Sequence, residues 1–386
     1  MYKKIASLLG LFLLCLILTG CGEPISKSGF YFDTVITVTL YDSSKEQLLD
    51  GCFDLAAEYE GYFSNTVADS DISKINASGG TPVTVHDETI ELLQKGISYG
   101  EQSNGAFDIT IGRLSDLWNI STKALLDETD ASMVPSDTEI RQALATVDYR
   151  TIVIDGNDVS LTNPDAKLDL GGIAKGYIAD KMKEYLLANG VKSALINLGG
   201  NVLTVGDKPD GSPFTIGIQY PFQEDGSSIA SVKISDQTVV SSGIYERYFK
   251  VDDTLYHHIL DTKTGYPCDN NLLGVTIITN HSVDGDALST ICFTLGLRDG
   301  MALIEQLDGT EAIFITDDYE LHVSSGMGNT VPLYGLKKRI GMTPFKTDNA
   351  GTLKKRLHIE GTPQRAVSSF VHDNRMSAER VFYFFL

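Results

Sequence analysis

Hydrophobic and polar positions follow different periods along the chain, and each change of period marks an element. Between Tyr31 and Tyr41, Val, Ile, Thr and Leu alternate, which predicts a strand. Ser43-Ser44 then offers an N-cap, with Glu46 and Gln47 placed for a capping box. Leu48, Leu49, Cys52, Phe53, Leu55, Ala56 and Tyr59 fall at helical spacing and predict a helix to about Tyr62. A polar loop follows from Phe63-Ser64 to about Asn76. A second helix begins after Asp87, carries Ile90, Leu92, Leu93, Ile97 and Tyr99, and stops at Asn104-Gly105. Ser136 with Glu139 caps a third helix, to about Val147, after a polar surface loop from Ser121. Asp155-Gly156-Asn157-Asp158, flanked by Thr151–Ile154 and Val159–Leu161, signals a hairpin.

The stretch Leu168 to Asp180 changes character within itself. It starts as a short apolar run, passes through Gly171-Gly172, and becomes helical with Ile173, Tyr177, Met182, Tyr185, Leu186 and Leu187 near one another, ending at Asn189-Gly190. A strand, a glycine turn and a helix start present free backbone N–H groups to an anion. After this stretch the chain is rich in strands: Ala194–Leu198, Phe214–Gln219, Ile229–Ile234, Thr238–Ser241, Tyr245–Val251, Tyr256–Leu260 and Val275–Thr279. Ser282 is placed to cap a helix from Val283 to Leu297, a further helix holds Met301, Leu303, Ile304 and Leu307, and Ala312–Thr316 with Glu320–Ser324 reads as a hairpin. Early helices, late strands and a few strand–helix units predict an α+β fold with a mixed sheet, flanking helices and a ligand cleft.

The 386 residues carry a net charge of −20, which argues against nucleic acid and anionic lipid surfaces as binding partners. The N-terminus has the form of a secretion signal, with Lys3 and Lys4 before a short apolar core from Ile5 to Leu18. It ends in Leu18-Thr19-Gly20-Cys21, which resembles a bacterial lipobox. Residues 1–20 are therefore expected to be removed, Cys21 to be lipidated, and residues 21–30 to link the anchor to the folded part on the extracytoplasmic face of the membrane. Cys52, Cys268 and Cys292 are odd in number and lack metal-type spacing, so they predict neither a disulfide framework nor a zinc site.

Several short constellations carry groups capable of chemistry, and each also has a plain structural explanation. Asp169 and Lys175 flank the Gly171-Gly172 turn, where tight strand–helix packing would suffice to explain the glycines. Ala106-Phe107-Asp108 is, taken alone, a strand start with a polar cap. Ser241-Ser242-Gly243 suits either a phosphate contact or an ordinary turn. His258 is placed to serve as a general base, although paired histidines are often surface residues. Asp261 either orients that imidazole or caps the Lys263-Thr264-Gly265 turn. Asp286 and Thr290 lie four apart on a predicted helix, so their oxygens share a face. With a backbone carbonyl they form an oxygen-only shell suited to magnesium or calcium. The structural alternative is a carboxylate meeting the helix dipole and a Thr bonding back to its own helix.

In this order, the constellations resemble the ApbE-type FAD:protein FMN transferases. The resemblance rests on Phe32-Asp33-Thr34, Ser64 to Ser70 with Asn76, Gly105 to Gly112 with Leu117-Trp118, Leu168 to Asp180, Ser241 to Tyr248, His258 to Pro267 and Asp286 to Thr290. It implies an ApbE-like domain over residues 31–341. It implies FAD, as substrate, bound through Phe32, Ala106, Phe107, Asp108, Asp169, Lys175 and Leu260. It implies Mg2+ held by the Gly172 carbonyl, Asp286 and Thr290. His258 is the candidate base, with Asp261 as its orienting group. The implied partner is an acceptor flavoprotein or redox-complex subunit with a target threonine. Thr66 stands where relatives often carry an aromatic residue, and Ile109 and Thr262 where proline is usual.

The same site would also suit an FAD pyrophosphatase, in which water replaces the threonine. A flavin-binding lipoprotein without chemistry and a purely structural lipoprotein are the remaining alternatives. From about Lys346 the chain turns basic and polar and ends in Val381-Phe382-Tyr383-Phe384-Phe385-Leu386. Residues 346–386 show no periodic core pattern and are expected to form an atypical, poorly ordered tail.

Overall fold

The computed structural model describes residues 23–126, 128–223, 226–328, 332–335, 341–343 and 356–358. The signal segment, Cys21 and nearly all of the tail lie outside the described residues. In chain order the strands are β1 Ile25–Tyr31, β2 Thr34–Leu40, β3 Val83–Thr84, β4 Ile152–Asp155, β5 Asp158–Leu161, β6 Ala194–Leu198, β7 Asn201–Val205, β8 Phe214–Gln219, β9 Ser228–Ile234, β10 Thr238–Gly243, β11 Tyr248–Val251, β12 Thr254–His257, β13 Leu272–Thr279, β14 Glu311–Thr316, β15 Leu321–Val323, β16 Leu333–Gly335, β17 Gly341–Thr343 and β18 Arg356–His358.

A ten-stranded sheet runs in the order β1-β2-β6-β7-β10-β13-β14-β15-β18-β17. Each neighbouring pair in it is antiparallel. The α+β class expected from the element order holds, while the strand directions are antiparallel throughout this sheet instead of mixed. The reason lies in the connections: β1–β2, β6–β7 and β14–β15 are hairpins, which can only join antiparallel strands. The segment expected as a linker supplies the edge strand β1 from Ile25. Alternate residues of single strands enter two different cores. Ile196, Leu203, Ile277 and Ala312 face the helices. Their neighbours Leu195, Val202, Ile278 and Ile313 face β8 and β9 of a three-stranded sheet, together with Phe214, Ile216 and Val232.

Three helices bear on the site. Leu48–Phe63 buries Leu49, Cys52, Phe53, Ala56, Tyr59 and Phe63. The expected Ser43-Ser44 capping box is absent. Asp42 instead caps a short 3-10 turn, and the helix starts after Gln47 with no side-chain cap. Ala174–Ala188 is buried on two sides, between Leu48–Phe63 and Ser282–Ile304. This explains why its apolar positions exceed one stripe, with Ile173, Tyr177, Ile178, Ala179, Met182 and Leu186 all buried and only Leu187 turned outward. Ser282–Ile304 joins the two expected helices across a kink at Gly296, whose φ of 77° is open to glycine at little cost. Its apolar length belongs to the core, where Ile291, Cys292 and Phe293 are buried.

The last two helices cap each other. Asp180 accepts from the backbone N–H groups of Ser282 and Val283 at 2.8 and 2.9 Å. Asp286 accepts from the N–H of Gly176 at 2.9 Å. Each helix thus satisfies orphan donors at the start of the other. Ser282, expected as the cap, donates its hydroxyl to Asn201 Oδ1 at 2.6 Å instead. The close approach also requires Gly176, because a Cβ there would stand 2.6 Å from Val283 Cα. The hairpin β4–β5 and the Ser136–Glu139 capping box appear where the sequence places them.

Candidate active site

A cavity of about 460 Å³ opens beside the N-termini of these two helices. Phe32, Ala106, Phe107, Asp108, Asp169, Gly172, Lys175, His258, Leu260, Asp286 and Thr290 all line it. Residues up to 258 positions apart in the chain thus share one wall. Of the candidate residues, only Asp261 is not part of the lining.

Local structure explains how each side chain arrives there. Phe32 and Asp33 form the two-residue loop between β1 and β2, both with positive φ, 52° and 54°. That is the conformation a tight hairpin demands, and it is uncommon without glycine or asparagine. The Phe32 N–H is held by Glu60 Oε1 at 2.7 Å, which fixes the turn and brings Phe32 to the cavity. Asp108 is buried and accepts from the Thr110 N–H and hydroxyl and from the Tyr149 N–H. Burial holds its pKa above the usual range for an Asp, against the pull of those donors. Both of its oxygens are committed to the turn, so Asp108 shapes the wall formed by Ala106 and Phe107. Asp169 Oδ1 accepts from Gly171 N–H at 2.9 Å and tightens the glycine turn.

Asp286, Thr290 and the Gly172 turn line the cavity together. Asp286 is 5% exposed, one of its oxygens is engaged with Gly176, and the other lies 3.7 Å from Lys175 Nζ. The Thr290 hydroxyl makes no hydrogen bond among the described residues, although that of Ser289, its neighbour, bonds back to the Asp286 carbonyl at 2.9 Å. Bonding back to its own helix, the plain explanation for Thr290, therefore does not apply. A Cβ built on Gly172 would lie 3.8 Å from Thr290 Oγ1, so the glycine turn and the helix face meet. Among the described residues no three His, Cys, Asp or Glu side chains cluster as a metal site. One carboxylate, one hydroxyl and one carbonyl make a set that fits magnesium and does not fit zinc. Lys175 donates to the Gly171 carbonyl at 3.0 Å and lines the cavity wall.

The adjacent histidines have different roles. His257 is buried, its Nε2 lying 2.9 Å from the Cys268 carbonyl and its Nδ1 accepting from Ile259 N–H. It is a core residue, pushed down to about 4 by burial. His258 lines the cavity, with Nδ1 at 3.3 Å from the Arg247 carbonyl oxygen. A carbonyl can only accept, so the neutral ring keeps its proton on Nδ1 and leaves the Nε2 lone pair free. Burial, then the nearby Arg247 and His257 charges, push the imidazole down to about 3. The orienting role considered for Asp261 falls to the Arg247 carbonyl. Asp261 accepts from Lys263 N–H at 2.8 Å and caps its own turn. That turn is docked from both sides, by Trp118 Nε1 on the Gly265 carbonyl and by the Thr262 hydroxyl on the Gly105 carbonyl.

Two residues of the wall were not singled out as site residues from sequence. Glu246 is pushed up to about 7 by burial, against the pull of Lys175 and Arg247. Arg247 adds a second cation to Lys175 in a strongly acidic chain. The available signal was a Glu-Arg pair between strands whose other positions are mostly apolar or hydroxylated.

Comparisons with known proteins agree with this arrangement. The sequence model of the ApbE family matches residues 32–314. A Klebsiella pneumoniae protein named FAD:protein FMN transferase is 39% identical over 303 residues, covering 78% of this chain and 92% of the relative. One of the same name from Treponema pallidum is 32% identical, covering 79% and 88%. A crystal structure of an ApbE protein from Thermotoga maritima superposes with a TM-score of 0.71 at 29% identity, covering 78% of this chain and 97% of that one. The flavin transferase ApbE of Vibrio cholerae superposes with a TM-score of 0.69 at 27% identity, again covering 78% and 97%. With the family pattern spanning both the helix pair and the histidine strand, this chain belongs to the ApbE family.

Proposed function

We propose that this chain is an enzyme that transfers the FMN half of FAD to a threonine hydroxyl of an acceptor protein, with magnesium as cofactor and AMP as the other product. The single observation that carries the reading is the convergence of Lys175, His258, Asp286, Thr290 and the Gly172 turn on one cavity. The names of the relatives supply the chemical class.

The Gly172 carbonyl, Asp286 and Thr290 would hold magnesium, which supplies charge neutralisation on a diphosphate and its leaving group. Lys175 and Arg247 attract the anionic diphosphate to the wall. Phe32 and the Ala106-Phe107 segment offer apolar surface to a ring system. His258 Nε2 accepts the proton of the incoming hydroxyl. The hydroxyl oxygen forms a bond to the flavin-side phosphorus while the bond from that phosphorus to the bridging oxygen breaks. The bridging oxygen leaves with AMP. Lipidation at Cys21 would hold the enzyme at the extracytoplasmic membrane surface, close to membrane-bound acceptors such as redox-complex subunits, and raise their effective concentration.

The test is mass spectrometry of an acceptor flavoprotein incubated with the chain, FAD and magnesium. Covalent FMN on threonine, lost when magnesium is chelated, is the expected result. Free FMN and AMP released at full rate without acceptor would replace transfer by hydrolysis. Bound FAD that stays intact would leave only a flavin-binding protein.

A further inference from the structure

A second groove, of about 450 Å³, adjoins the catalytic cavity, and the transfer reading assigns it no role. It lies between one face of the large sheet, through Val35, Thr37 and Val239, and the small sheet, through Ile216, Gly217 and Gln219. The two cavities share a wall made of Asp33, Thr34, Gly199, Ser241 and Glu246. Glu246 is close enough to Lys175 and Asp286 for their charges to act on it. The groove therefore opens onto the end of the cavity where phosphate chemistry would occur.

Its rim is unusual for a surface. Phe30 is 66% exposed and Val35 is 45% exposed, and the two are register partners across β1 and β2. Two large apolar side chains side by side on a sheet edge form a surface patch that calls for a cover. Gly200, where a Cβ would meet nothing within 4 Å, leaves room for a main chain to come close. Among the described residues, the charged groups in the lining are Asp33 and Glu246, both acidic.

A reaction between FAD and a protein needs two entrances, one for the dinucleotide and one for a polypeptide. We propose that this groove seats an extended, neutral or basic segment of the acceptor protein, with an apolar side chain against Phe30 and Val35 and the threonine delivered past Ser241 and Glu246. The assignment rests on the transferase reading. The wall shared with the catalytic cavity favours the acceptor over an unrelated partner.

The test uses the double variant Phe30→Ser/Val35→Ser, whose sites are exposed, and a groove-filling variant, Thr37→Trp. Acceptor labelling is followed at saturating FAD and magnesium over a range of acceptor concentrations, and FAD affinity is measured separately by flavin fluorescence. The expected result is a rise of about tenfold or more in the acceptor KM, with kcat and FAD affinity unchanged within about twofold. A parallel loss of FAD affinity would make the groove part of the flavin site and overturn the assignment. Unchanged acceptor KM in both variants would overturn it as well. A wild-type chain that binds FAD but never labels the acceptor would refute the transferase reading itself, and the groove assignment with it.

Discussion

Asp286 has two tasks that substitution can separate. Its carboxylate accepts from Gly176 N–H at 2.9 Å while 5% exposed, and it lines the same cavity as Gly172 and Thr290. Asp286→Ala removes both functions. The Gly176 donor is buried, and leaving it unsatisfied costs about 1–3 kcal/mol. For a domain of this size that corresponds to a fall in Tm of roughly 2–8 °C. Asp286→Asn keeps an oxygen in place to accept from Gly176 but removes the charge. Its Tm should stay within about 2 °C of wild type. Both variants should lose transfer, by about 10²–10⁴-fold, because several kcal/mol of transition-state charge stabilisation depends on the cation. The assays are differential scanning calorimetry without ligands and mass spectrometry of the flavinylated acceptor at millimolar magnesium. Asn and Ala variants with equal melting losses would refute the capping argument. An Asn variant with full transfer activity would refute the cation site.

Other perturbations test separate parts of the site. His258→Ala should lower kcat by about 10²–10⁴-fold while leaving FAD affinity within about threefold, read by single-turnover labelling and fluorescence titration. Because burial holds His258 near 3, its neutral form prevails above that pH, and kcat/KM for FAD should show no acid limb near 6.5 from this group. Such a limb, abolished in the variant, would contradict the burial. Glu246 is raised to about 7, so the folded state keeps a proton that the unfolded chain gives up nearer 4.5. Its contribution to stability is full at low pH and is lost as pH rises through about 7. Glu246→Gln should therefore gain in unfolding free energy relative to wild type between pH 5 and pH 8, by roughly 2 kcal/mol at most after allowing for its partial exposure. A difference that is flat with pH refutes the shift. Asp261→Ala should cost about 1 kcal/mol through its turn and leave kcat nearly unchanged, and a kcat loss as deep as that of His258→Ala would restore it to the chemistry.

The parts of the fold legible in sequence were those fixed by local chemistry. The β4–β5 hairpin and the Ser136–Glu139 cap needed only residues within a few positions of each other. The helix pair Ala174–Ala188 and Ser282–Ile304 was legible as two helices, but its caps were not. Asp180 and Asp286 each serve a helix about a hundred residues away, and no local rule pairs them. The edge strand β1 was missed because Ile25–Tyr31 is mostly polar and exposed, so its alternation is weak. The β1–β2 turn was missed for a different reason. Phe32-Asp33 lacks the glycine or asparagine that announces such turns, and the conformation is held by Glu60 from a helix.

At the site, the motifs disclosed which residues matter, and geometry disclosed what each one does. Spacing alone put Asp286 and Thr290 on one helix face. It did not show that the Thr290 hydroxyl, unlike that of Ser289, makes no bond back to its own helix. The sequence offered Asp261 as a partner for His258, because a carboxylate near a histidine usually suggests one. In the folded chain Asp261 accepts from the Lys263 N–H within the turn that Trp118 and Thr262 dock, and the Arg247 carbonyl lies 3.3 Å from His258 Nδ1. An orienting group drawn from the main chain, like the Arg247 carbonyl, leaves no trace in residue identity, so it stays invisible until the chain is folded.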